Sequence, residues 1–382
     1  MSGLVDLDRL RPALAGLGRP PTTEDVAAAM RAEGLVVTDA LLYDAVERLH
    51  RESYGAGVLD PLLALPGVTD VLVNGPDQVW IDRGHGLERM PLTFGSEEEV
   101  RRLALRLAAR VGRRLDDAAP YVDARLPDGT RVHAVLGSVA DPGTCISLRV
   151  PARHRFSLAD LVTRGALPST AVPLLEGLIE HRLAFLVSGG TGTGKTTVLG
   201  TLLGLVPHDQ RLVVVEDSRE LDPPHPHCVR LEGRPANAEG TGALGLAVLV
   251  RQALRMRPDR VVVGEVRGAE LCDLLAALNT GHEGGCGTVH ANSAADVPAR
   301  LEALAALGGL GREATRTQAL SALDAVVHLR RDHDGHRRVA QIGMFGPDEA
   351  GGMHVREALA FPRDGTVRRG PAGEEFLSRV AR

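Results

Sequence analysis

Apolar positions change their spacing twice along the chain. Up to about residue 50 they recur with helical period, in Glu24 to Glu33 and again in Asp39 to Arg51, which predicts a small helical preface over residues 1–55. From 56 to 150 short alternating runs take over. VTDVLVNG and QVWIDRG read as strands, Glu97 to Val111 as a helix, and DARLPDGTRVHAVLGS as a hairpin turned by Pro127-Asp128-Gly129. Residues 151–173 are punctuated by proline with little periodicity, and read as a linker. Beyond residue 174, unbroken apolar runs alternate with helical patterns: Leu183 to Ser188 (LAFLVS), Arg211 to Glu216 (RLVVVE) and Arg260 to Glu265 (RVVVGE). Strands without a polar face belong in a parallel sheet covered on both sides, so 174–382 is expected to be an α/β domain. Its tail reads as helices from Leu301 to His328, then a strand pair, Arg337 to Phe345 with Met353 to Ala360, around Gly-Pro-Asp.

Composition adds bounds. At 382 residues and 44% hydrophobic content the chain is long enough for two or three domains with real cores. No apolar run approaches the roughly 20 residues that span a bilayer, and the first residues lack a basic leader followed by an apolar block. A cytoplasmic protein is expected. Cys145, Cys228, Cys272 and Cys286 form no C-x-x-C pair, which argues against a zinc ribbon or a disulfide framework and for buried small residues in a reducing compartment. A net charge of −5 gives no global reason to expect nucleic-acid binding, though a local basic face stays open.

Lysine usage is the most pointed signal. Lys plus Arg number 44, and Lys195 is the one lysine, leaving 43 arginines. It lies in Gly189-Gly190-Thr191-Gly192-Thr193-Gly194-Lys195-Thr196, a complete G-x-x-x-x-G-K-[ST] phosphate-binding pattern. The segment sits where an apolar strand feeds a helix read from Thr196 to Leu205, so backbone N–H groups and the positive helix end would hold phosphates. Gly189 through Thr197 are therefore the expected ATP-binding residues. Lys195 would neutralise the transferred phosphoryl group and Thr196 would place its hydroxyl on Mg²⁺. Two carboxylate groups follow at strand ends: Glu216-Asp217 with Glu220 one turn on, and Glu265, where a site beside the loop forms in such sheets. Gly264 stands before Glu265 where a helicase-like strand would show Asp-Glu. Glu265 must then serve the metal's water shell, the attacking water, or both.

The stretch LNTGHEGGCGTVHAN, from Leu278 to Asn292, packs two histidines, four glycines and a Thr-x-His pair into a short segment. An isolated histidine is usually structural, and zinc lacks a third ligand at suitable spacing. A γ-phosphate sensor suits the segment better.

The phosphate loop, VVVEDSREL, RPDRVVVGEVRGAE and LNTGHEGGCGTVHAN, in that order, resemble the type II/type IV secretion ATPase superfamily over about residues 180–295, and the preceding module extends the likeness back to about residue 58. VTDVLVNGPDQVWIDRG and DARLPDGTRVHAV resemble its tight-adherence (Flp) pilus assembly branch, including the actinobacterial conjugal-transfer-associated form. The resemblance implies a RecA-like ATPase domain preceded by a smaller α+β sensing domain, 56–150, in a homohexameric ring motor working on inner-membrane platform proteins at the cytoplasmic face. It implies that arginines of the N-terminal module close over the triphosphate, with Arg125, Arg131 and Arg149 on the matching strands. Glu216 would order Mg²⁺ or water, Glu265 would hold the metal directly or through water and polarise the attacking water, and His290 would read the γ-phosphate state. Arg234 and Arg251 would serve the ring interface or the nucleotide. The tetracysteine zinc site common in the type II secretion branch is missing from the sequence, so no structural zinc is expected. A conjugative DNA-transfer ATPase and a nucleotide-gated scaffold are the alternatives.

Overall fold

A computed structural model describes residues 7–15, 17, 21–84, 86–151, 155–234, 236, 241–349 and 351–381, in two units, Met1–Pro151 and Ala152–Arg382. The first unit opens with helices α1 (Leu7–Ala15), α2 (Thr23–Ala32) and α3 (Asp39–Tyr54). Thr22 and Asp25 form a reciprocal capping box that starts α2. Leu7, Leu10, Val26, Ala29, Met30, Ala45 and Leu49 give this preface its own small core.

After α4 (Asp60–Leu63) comes a six-stranded antiparallel sheet. One meander is β1 (Asp70–Asn74), β2 (Val79–Asp82) and β3 (Leu87–Met90); α5 (Glu97–Ala109) leads to a second, β4 (Tyr121–Arg125), β5 (Arg131–Val135) and β6 (Cys145–Arg149). The pairing of β1 with β6 joins them in the order β3-β2-β1-β6-β5-β4. Strict alternation puts Val71, Val73, Val132, Ala134, Ile146 and Leu148 under α5, whose Val100, Leu103 and Leu107 complete that core. The Pro127-Asp128-Gly129 turn forms as read, with Asp128 accepting from the Thr130 backbone N–H at 3.0 Å and Gly129 at φ +91°.

The second unit is built on a nine-stranded sheet, β15-β14-β13-β12-β7-β11-β10-β8-β9. Its strands are β7 (Phe185–Gly189), β8 (Leu212–Glu216), β9 (Cys228–Glu232), β10 (Arg260–Val266), β11 (Cys286–His290), β12 (Ala325–Arg331), β13 (Arg337–Pro347), β14 (Met353–Ala360) and β15 (Arg368–Arg369). From β12 through β9 every pairing is parallel, and β13 to β15 extend the sheet antiparallel. Helices α6 (Leu158–Thr163), α7 (Val172–Glu180), α8 (Lys195–Leu203) and α13 (Gly373–Val380) bury one face with Phe185, Val187, Leu212 and Val214. On the other face α9 (Leu246–Ala253), α10 (Glu270–Leu278), α11 (Val297–Leu307) and α12 (Arg312–Ala322) cover Leu186, Val213, Val215, Val261 and Val263. The fold is the expected RecA-like α/β domain preceded by a smaller α+β domain.

Two expectations are corrected. Residues 151–173 are not a bare linker: α6 is started by a Ser157/Asp160 capping box, and Leu158, Leu161, Leu167 and Ala171 enter the core of the second unit. The helical reading of Leu301 to His328 fails at its end. Helix gives way after Ala322, and AVVHLRR is β12, a strand beside β7 whose short apolar run fits either structure until its neighbours decide.

Candidate functional site

β7 is buried along its whole length and delivers the phosphate loop to the C-terminal edge of the parallel sheet. Gly189 can only be glycine there: a Cβ would stand 2.7 Å from both the Leu329 carbonyl oxygen and Thr193 Oγ1. Gly194 caps α8 at φ +94°, a backbone that side chains disfavour. Thr193 Oγ1 donates to the Gly190 carbonyl at 3.0 Å, and Lys195 Nζ donates to the carbonyls of Gly189 and Gly190 at 3.1 and 2.9 Å. Burial pushes the Lys195 ammonium down, with Arg267 adding to it, while the nearby charges of Glu265 and Glu220 oppose the shift.

The acidic strands arrive at the same edge. Glu216 ends β8 and is 4% exposed, its Oε1 accepting from the backbone N–H groups of Glu220 and Leu221 at 3.1 and 3.0 Å. That grip folds the chain back so that Glu220 Oε2 accepts from Thr196 Oγ1 at 3.4 Å. The register of β8 with β10 explains Gly264: a Cβ there would overlap Glu216 Cγ and lie 2.8 Å from its Oε1. A carboxylate buried between two central strands has displaced the side chain expected before Glu265.

Glu265 is aimed by an irregularity. The β10–β11 register shifts between Val263 and Val266, a bulge of the sort that redirects side chains beside active sites. Thr288, from the histidine segment, donates to the Gly264 carbonyl at 2.6 Å and so satisfies the backbone there. Glu265 pairs with Arg267, which that hydrogen bond holds above the ordinary guanidinium range.

The two histidines of the segment differ in position and contacts. His282 Nδ1 lies 3.2 Å from the Ala277 carbonyl at the end of α10, a local structural contact. His290 is half-buried and level with Gly189 across the β11–β7 pairing. A third histidine escaped sequence reading: His328 on β12 is buried, 2.9 Å from Ser188 Oγ through Nδ1, and also meets the Asn292 backbone. It ties the residue before the phosphate loop to the segment after His290. Only the parallel pairing of β12 with β7 could have revealed it.

The N-terminal arginines occupy one rung of their sheet. Arg125 is paired with Arg131, Arg131 with Arg149, and Arg149 with Asp70. Arg149 Nε lies 3.3 Å from Asp70 and Arg131 3.5 Å from Asp123. Of the other arginines named above, Arg251 pairs with Asp273 at 3.0 Å and Arg234 donates to the Gly242 carbonyl at 2.9 Å.

Hard oxygen ligands suit Mg²⁺, which usually takes one or two protein oxygens beside phosphates, and Thr196, Glu220 and Glu265 offer that set around Lys195. Among the described residues no group of three or more His, Cys, Asp or Glu side chains could hold a metal, and no helix is long and apolar enough to cross a membrane. Three cysteines are half-buried free thiols and Cys286 alone is fully buried, its thiol pushed up to about 12 by desolvation.

Residues 52–357 match the family described as type II/IV secretion system protein. A provisionally named conjugal transfer protein of Mycobacterium tuberculosis is 56% identical over 303 residues, covering 78% of this chain and 86% of its own. The type IV secretion system protein VirB11 of Brucella suis is 30% identical over 324 residues, covering 77% and 90%. Among solved structures, the ATPase DotB of Legionella pneumophila aligns with a TM-score of 0.51 at 19% identity, over 74% of this chain and 78% of that one. The pilus retraction motor PilT with bound ADP gives 0.51 at 20%, over 76% and 78%. These two speak for the fold alone.

Proposed function

The chain belongs to the type II/IV secretion system protein family, and from that premise we propose that it is an ATP-hydrolysing, homohexameric motor that drives membrane partners of a secretion, pilus-assembly or conjugation machine from the cytoplasmic face. The observation that carries this reading is the convergence of Lys195, Thr196, Glu220, Glu265 and His290 on one edge of the parallel sheet. Such chemistry is mostly positioning and electrostatics.

In this reading the loop backbone and the α8 N-terminus hold the phosphates, and Lys195 meets charge on the transferred group. Thr196 would hold Mg²⁺, with Glu265 and Glu220 reaching it through water, and the ion when bound would supply neutralisation of phosphate charge. Glu265 polarises the attacking water once Arg267 yields its carboxylate, and His290, level with the first loop glycine, registers the terminal phosphate. Glu216 acts by fixing the turn that carries Glu220. Arg125, Arg131 and Arg149 are offered as the cations that close over the triphosphate, where a planar fork suits phosphate oxygens.

A conjugative role is kept as the second reading, supported by the name of the relative at 56% identity. Mg²⁺-dependent ATP turnover of the purified protein, beside Lys195→Ala and Glu265→Gln, tests the reading, with particle mass measured by light scattering. Lys195→Ala should lose turnover; Glu265→Gln should keep ATP binding while turnover drops at least about a hundredfold, the scale of general-base catalysis. Normal turnover in Glu265→Gln removes that residue from its role. DNA binding with steep salt dependence would move the reading toward strand transfer.

A further inference from the structure

The phosphate loop is flanked on both sides within the sheet. On one side β11 brings His290 level with Gly189; on the other β12 brings Leu329 level with the same glycine. The next two residues of β12, Arg330 and Arg331, therefore run beside the loop, where β7 has ended.

Their guanidinium groups face different surroundings. Asp332 takes Arg330 at 3.6 Å, Arg338 at 2.9 Å and Arg363 at 3.6 Å, and Arg363 also holds Asp334 at 2.6 Å. Arg338 foremost holds the Asp332 carboxyl below the usual range. Arg331 is left out of this cluster and has no carboxylate partner among the described residues. Its Nη1 stands 3.9 Å from where a Cβ on Gly192 would be, and its Nη2 is 3.7 Å from the same position on Gly335. An exposed, unpaired guanidinium is thus parked between the 332–335 turn and the fourth residue of the phosphate loop.

We propose that Arg331 is a phosphate-binding residue of the nucleotide site, contacting the polyphosphate of ATP or ADP from the β12 side of the loop within the same subunit. The inference rests on the nucleotide-binding reading above. Lys195, the one lysine, approaches from within the loop and lies against its carbonyls; Arg331 supplies a second cation from outside it. A planar fork can span two phosphate oxygens, which a point-like ammonium cannot. Neighbouring arginines are committed to Asp332 and Asp334, while the exposed Arg331 has no carboxylate partner among the described residues that its loss would disturb.

The test is competition of ATP, ADP and AMP against a fluorescent nucleotide on the full chain, with Mg²⁺ present, for Arg331→Ala, Arg331→Lys and Arg330→Ala. Loss of a charge-assisted contact to phosphate corresponds to roughly a ten- to hundredfold weakening. Arg331→Ala should lose that much for ATP and ADP and little for AMP, Arg331→Lys should fall between, and Arg330→Ala should match the unmodified chain. An Arg331→Ala variant that binds ATP within about twofold of the unmodified chain overturns the inference while leaving the nucleotide site standing, and so does an equal loss for all three nucleotides. An unmodified chain that binds no nucleotide would remove both readings together.

Discussion

Gly264→Ala is a one-carbon change with a calculable cost. The glycine's φ lies outside the left-handed region, so the backbone accepts alanine. Contact does not: the new methyl would overlap Glu216 Cγ and stand 2.8 Å from Oε1 and 3.0 Å from Cδ. Both residues are held by central parallel strands, so the Glu216 side chain must give way. Overpacking of this kind costs about 1–3 kcal/mol. If the carboxylate leaves its place it also surrenders the Glu220 and Leu221 N–H groups, each such charged hydrogen bond being worth about 1.5–3 kcal/mol. Alanine returns about 0.5–1 kcal/mol by restricting the unfolded chain. Moving the carboxylate relieves the clash but loses both hydrogen bonds, so about 3–6 kcal/mol less the 0.5–1 returned leaves a net loss of about 2–5.5 kcal/mol, which for a domain of this size lowers the melting temperature by roughly 4–22 °C. Calorimetry on Gly264→Ala, Glu216→Ala and the double variant provides the measurement, because in the Glu216→Ala background the methyl has room and should cost almost nothing. A melting temperature within about 2 °C of the unmodified chain, or strictly additive losses in the cycle, would refute the packing argument.

Two further perturbations bear on buried polar side chains of the second unit. His328 sits below its ordinary pKa mainly through burial, helped by Arg330 and opposed by Asp296 and the Asn292 backbone. The unfolded chain, titrating near 6.5, therefore takes its proton first, so the contribution is intact above that pH and is lost as pH falls below it toward the folded value. His328→Gln should reduce the stability difference between pH 7.5 and 5.5 by up to about 1 kcal/mol, and urea titrations giving parallel pH slopes would exclude it. Arg260 is 0% exposed and donates to Gln210 Oε1, the Gly284 carbonyl and the Ile179 carbonyl at 2.9, 3.4 and 2.7 Å, and burial lowers it to about 10. Arg260→Ala, which leaves those acceptors unmatched and a void, should cost about 3–5 kcal/mol of unfolding free energy by urea titration; a change below about 1 kcal/mol would contradict that.

What the sequence disclosed was local in origin. A phosphate loop is written in consecutive glycines with one lysine, and a fully buried parallel strand is written in its unbroken valines, so both could be read without knowing any neighbour. Gly264 could be noticed as a departure but not explained, since its cause, Glu216, lies on the adjacent strand. The Ser188–His328 contact spans two strands far apart in sequence, and the helical reading runs over the first four residues of β12, to His328, because a short apolar run suits either period. Residues 151–173 misled for a related reason: proline spacing masked short helices whose leucines are recruited by a core assembled elsewhere. Arg331 was one arginine among 43 until the pairing of β12 set it beside Gly192.

The rung that aligns Arg125, Arg131 and Arg149 makes three residues into one mechanical part. Arg125 and Arg131 flank the hairpin turn, and the turn is closed by the Leu126 and Gly129 backbone N–H groups donating to the Thr130 and Leu126 carbonyls at 2.9 Å each. Because side chains alternate faces, a slip of one residue in β5 would carry Arg131 to the core side while Arg125 and Arg149 stayed outside. The register, not any single arginine, then sets where the row points. An insertion within β5, rather than in the turn, would break the row in a single step, because every residue after it would change face.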